Sequence, residues 1–156
     1  MALVSLQPRL NLLPPRKLQP RTLSSTLTSL RLPRGRAYDP FGHADALDIQ
    51  VIEREIANAN EYWLPEFHTI VLKTGMREAH KRVALAHAIA HAELGHEDDR
   101  PKHETAANRY AALYLINPVE FDAVLTWSDD ERVIAEELGV TRRLLTAFLA
   151  TQGLAG

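Results

Sequence analysis

The chain has 156 residues, a formal net charge of -2, 46% hydrophobic and 24% charged residues, enough apolar material for one cored domain. It contains no cysteine, which excludes disulfides, thiolate nucleophiles, iron–sulfur clusters and cysteine-bound zinc. No apolar run approaches the roughly 20 residues of a membrane helix, and any bound metal has to be held by imidazole and carboxylate, since there are seven histidines.

The near-neutral total hides a split. Residues 1–38 carry Arg9, Arg16, Lys17, Arg21, Arg31, Arg34 and Arg36 and no acid, while residues 39–156 hold the other 11 basic and all 20 acidic residues. Five prolines also interrupt that start (Pro8, Pro14, Pro15, Pro20 and Pro33), so residues 1–37 read as a flexible basic leader and 38–156 as the folded domain. An acid-free stretch rich in arginine and serine also matches a transit peptide, and could stick to acidic partners without specificity.

Asp39-Pro40 reads as a helix N-cap followed by proline at the first helical position, with Ala44, Ala46 and Leu47 as a short apolar face. A strand is predicted over Ile49–Glu53, and two more, Glu61–Leu64 and His68–Leu72, flank a turn at Pro65-Glu66-Phe67. From Arg77 to Leu94 there is neither Gly nor Pro and much alanine, which predicts a long helix closed by Gly95. Pro101 opens a second long helix that stops at Asn117-Pro118, and shorter helices follow around 119–126, 129–138 and 141–150. The expected architecture is α+β, a small three-stranded sheet followed by a helical majority.

The chemistry falls on the two long helices. His87 and His91 stand four apart, about 40° around a helix, so both imidazoles can reach one ion. Their setting, Val83 to His91, is so apolar that the helix has to be largely buried, and two buried imidazoles need partners. A third ligand can come from two places. His96 is rotated about 140° from His91 on an ideal helix and turns inward only if Gly95 ends it. Glu104, in the first turn of the next helix, is better placed, although a carboxylate there also serves simply to complement the helix dipole. Ala106 and Ala107 permit close approach of the helices, and Asn108, one turn on, can hydrogen-bond a ligand imidazole.

The run Arg82-x-x-Leu85-Ala86-His87-x-Ile89-Ala90-His91-x-x-Leu94-Gly95-His96, followed by Glu104-x-x-Ala107-Asn108-x-Tyr110-Ala111-Ala112 and Asn117-Pro118, resembles the ImmA/IrrE family of zinc metallopeptidases, in the small form of actinobacteria and their phages. The likeness extends upstream to Tyr38-Asp39-Pro40-Phe41 and to the strand His68–Leu72, so it covers about residues 38–150. It implies a zincin-like, cytoplasmic peptidase with Zn²⁺ on His87, His91 and Glu104, acting on a protein substrate such as a phage or mobile-element repressor of the helix-turn-helix type. No membrane is implicated. The roles of His96 and Tyr110 within the motif stay open.

One departure matters. The residue after the first histidine is glutamate in H-E-x-x-H enzymes, where it takes a proton from water and passes it to the leaving amine; here it is Ala88. Loss of a general base costs on the order of 10²–10⁴ in rate. Glu93 lies roughly 200° from His91 around the helix and Glu97 lies beyond Gly95, so neither replaces it from this helix. Ala88 fits an introduced knock-out or a natural peptidase-like protein that binds without cutting, and the intact flanking motif favours the first.

A different class of function rests on residues 129–149. Ser128 reads as an N-cap, Ala135, Gly139 and Val140 have the spacing of a short helix–turn–helix, and Thr141-Arg142-Arg143 would begin a recognition helix. The first of these helices is strongly acidic, which favours a packing or substrate-docking role over nucleic-acid binding. The metzincin pattern fails at Leu94 and Glu97, and no nucleophile-elbow serine or phosphate-binding glycine loop occurs.

Overall fold

A computed structural model describes residues 32–154. Most of the basic leader, residues 1–31, lies outside the described residues. Its last part does not: Gly35–Ala37 form a 3₁₀ turn against the domain, and the Arg82 guanidinium donates to the carbonyls of Gly35 and Tyr38.

Helix α1, Pro40–Ala46, starts as expected, with the Asp39 side chain accepting from the Phe41 N–H. Three strands follow, β1 (Gln50–Arg54), β2 (Glu61–Leu64) and β3 (Thr69–Lys73). Their order is β1-β3-β2: β3 runs parallel to β1, with Val51 opposite Ile70, and antiparallel to β2, with Glu61 opposite Leu72. The central strand is buried from Thr69 to Leu72, as a strand covered on both sides has to be. Strand β2 is an edge.

Helices α2 (Glu78–Glu93) and α3 (Pro101–Leu115) form the long pair, and α4 (Pro118–Leu125), α5 (Glu131–Glu137) and α6 (Arg142–Thr151) close the other side. Ser128 does not cap α5. Its hydroxyl accepts from the Asp130 N–H, and Asp130 is the cap, taking the N–H groups of Arg132 and Val133. Among the described residues no helix is long and apolar enough to cross a membrane.

Helix α2 divides the core. Ala84, Leu85, Ala88 and Ile89 pack against Trp63, Ile70 and Leu72 of the sheet. Ala86 and Ala90 face the other way, into a cluster with Ala107, Ala111 and Ala112 of α3 and the apolar faces of α4–α6. Because alanine fills the contact between α2 and α3, their backbones approach closely, and the seam between the two clusters is where the polar residues of α2 emerge.

Candidate metal centre

His87 and His91 lie on that seam, 4% and 5% exposed, with their Nε2 atoms 3.0 Å apart. A helix carries residues four apart one above the other, so two imidazoles leaning the same way converge. From α3, Glu104 completes the group. Its Oε1 is 3.0 Å from Nε2 of His91 and its Oε2 is 3.4 Å from Nε2 of His87. These three ligand atoms all lie within 4.8 Å of one another, close enough for one ion.

The electrostatics suit a cation. Burial, with the neighbouring His87 adding to it, pushes the His91 imidazole down to about 4, so it is neutral at physiological pH and keeps a lone pair. Burial alone would raise Glu104, but hydrogen bonding and charge from His87 outweigh it and hold the carboxyl below its usual range. A cation lying between the two imidazoles and the Glu104 carboxylate would bind all three ligand atoms at once. That donor set, two imidazoles and a carboxylate, matches a catalytic zinc site.

His96 is brought to the same place but in a different role. Gly95 ends α2 with φ +64°, the His96 N–H returns to the His91 carbonyl at 2.9 Å, and the ring turns inward. Its Nδ1 is 3.1 Å from Nδ1 of His91, the nitrogen that points away from Glu104. His96 in turn stacks on His103 at a centroid distance of 4.1 Å, and His103 Nδ1 sits 2.5 Å from Asp98. This second layer orients His91. The role of His103 and Asp98 is invisible in the motif, because only the loop between α2 and α3 brings them beneath His96.

A cleft of about 610 Å³ opens beside His87. Asn108 and Ala84 line it from the helices, Glu61 and Lys73 from the sheet, and Thr141 and Arg143 from the start of α6. Asn108 therefore stands beside His87 at the cleft wall. The would-be recognition helix also forms part of this wall, and its Arg142 pairs with Glu131 at 3.5 Å. Tyr110 belongs elsewhere: its ring meets Tyr114 edge-on at 5.4 Å, in a cluster where Tyr114 donates to Glu93 and Tyr38 bonds His43. Ala88 is 1% exposed and packed in the cluster between α2 and the sheet.

Glu61 was not singled out by spacing. It opens β2, far from the helical motif in sequence, and only the pairing of β2 with β3 beneath α2 brings it to the cleft.

The family model described as Peptidase_M78, IrrE N-terminal-like domain, matches residues 44–149, a span that takes in both long helices and the whole sheet. No match was found among the curated proteins.

Proposed function

Because the chain belongs to the IrrE N-terminal-like family of metallopeptidases, we propose that it is a zinc-dependent endopeptidase acting on a protein substrate, in particular a helix-turn-helix repressor of a phage or mobile element, in the cytoplasm of a bacterial cell. The observation that carries this reading is the convergence of two buried imidazole nitrogens and one carboxylate beside an open cleft. His87, His91 and Glu104 would hold the ion. When bound, a zinc ion supplies Lewis-acid polarisation of the scissile carbonyl and acidifies water.

The chain's own residues supply the rest. Among the described residues β2 has no strand on its outer side, so its backbone groups would pair with an extended segment, and Asn108 and Arg143 line the cleft in which that segment would lie. The methyl group of Ala88 moves no proton. Activity therefore either runs slowly or draws on a base from another element. A second reading, favoured by Ala88 alone, is a metal-stabilised module that grips its partner without cutting it.

Elemental analysis tests the site. His87→Ala, His91→Ala and Glu104→Ala should each lose the metal and melt lower, because the ion links α2 to α3, whereas His96→Ala should keep it. The opposite pattern, with His96→Ala stripped and Glu104→Ala loaded, refutes the ligand set. A gel assay against repressors encoded beside this gene then separates cutting from gripping.

A further inference from the structure

We propose that Glu61 is the proton acceptor of this cleft, doing from the edge strand what residue 88 cannot do from the helix. The inference rests on the metallopeptidase reading above and names a further residue for that reaction.

Three observations carry it. First, side chains alternate along a strand, so Glu61 and Trp63 share one face of β2. Trp63 packs among Ala84, Leu85 and Ala88 of α2, and so Glu61 faces the same helix. Second, Glu61 lines the cleft together with His87, Ala84 and Asn108, and among the described residues it is the only carboxylate that does so. Third, among the described residues its carboxyl makes no ion pair, while Glu104 is engaged by both His87 and His91.

The Glu61 carboxyl stands in the cleft wall beside His87 and across from Asn108, where a bound segment would run. In the reaction, the Glu61 carboxylate takes one proton from water as the water oxygen bonds to the peptide carbonyl carbon. The carbon–nitrogen bond then breaks, and the same proton passes from Glu61 to the departing amine. The products are a carboxylic acid and an amine, and the Glu61 carboxylate is restored.

The test compares zinc-loaded full-length protein with Glu61→Gln in three readouts. Metal content is taken by elemental analysis, hydrolysis with a mixed library of quenched fluorogenic peptides, and acetohydroxamate binding by calorimetry. Hydroxamate must give up a proton as it binds, so its affinity reports the acceptor without turnover. Glu61→Gln should keep one metal per chain, hydrolyse about 10²-fold or more slowly, and bind hydroxamate about 10-fold or more weakly. If Glu61→Gln melts early, Glu61→Asp, which keeps the charge and shortens the reach, should show at least a tenfold loss of hydrolysis with the metal retained. Unchanged hydroxamate affinity, or hydrolysis at the parent rate, overturns the proposal. A parent protein that loads metal but hydrolyses nothing overturns it while leaving the metal site standing. A parent that takes up no metal overturns the reading beneath it.

Discussion

At position 88 one methyl group stands where a catalytic carboxylate stands in H-E-x-x-H enzymes, and its packing sets what a glutamate there would meet. Ala88 touches the sheet-side cluster of Trp63, Ile70, Leu72 and Ile89 and is almost fully buried. A glutamate here would drive a charge into apolar neighbours or push them aside. Ala88→Glu should therefore melt several degrees lower, a loss of about 2–3 kcal/mol, with no gain in peptide hydrolysis. A variant that melts like its parent and cuts about 10² times faster would return the base to the helix and take it from Glu61.

At the scale of elements, α2 is set by where it stops. Gly95 adopts φ +64°, and nothing lies within 4 Å of where its Cβ would be, so the cost of a side chain there is backbone strain alone. Gly95→Ala should lose about 1 kcal/mol and a few degrees of melting temperature. Gly95→Asn should recover part of that loss, since asparagine tolerates the left-handed region. Equal melting of all three proteins would mean that the turn holding His96 against His91 carries no strain. This stop was legible in the sequence, as were both long helices, because Gly and Pro mark their ends and alanine fills their bodies. The His87–His91 pair was legible too, since a helix converts a spacing of four into a shared face. The sheet order was not: three short strands permit several pairings, and nothing local in the sequence marks β1 as the partner of β3 rather than of its chain neighbour β2. Glu61 went unnoticed for the same reason, and His103 because its partner Asp98 lies in the loop before α3.

For the whole molecule, the polar seam between two apolar clusters makes stability depend on protons when no ion is bound. In protein stripped by a chelator, His91 is neutral in the fold down to about 4, while in the unfolded chain it takes a proton near its ordinary value of 6.5. Above 6.5 both states are neutral and His91 contributes no slope. Between 6.5 and about 4 the unfolded state binds more protons, so stability falls as pH falls through that window, by roughly 2–3 kcal/mol in total. His96, also lowered by burial and by His103, acts in the same direction. Glu104 extends the loss further into acid, because its carboxyl is held below the usual range in the fold and its contribution disappears on protonation. Thermal melts of the stripped protein at steps from pH 7.5 to pH 4 should thus be flat at first and then descend. His91→Gln, which does not titrate, should flatten the upper part of the descent. Zinc-loaded protein should start higher and fall more steeply, since protons then compete with the ion for the same nitrogens. A stripped protein whose melting temperature rose between pH 6.5 and pH 5 would reverse the sign: His91 would then be charged in the fold and paired with Glu104, and the seam would be an internal ion pair rather than a cation site.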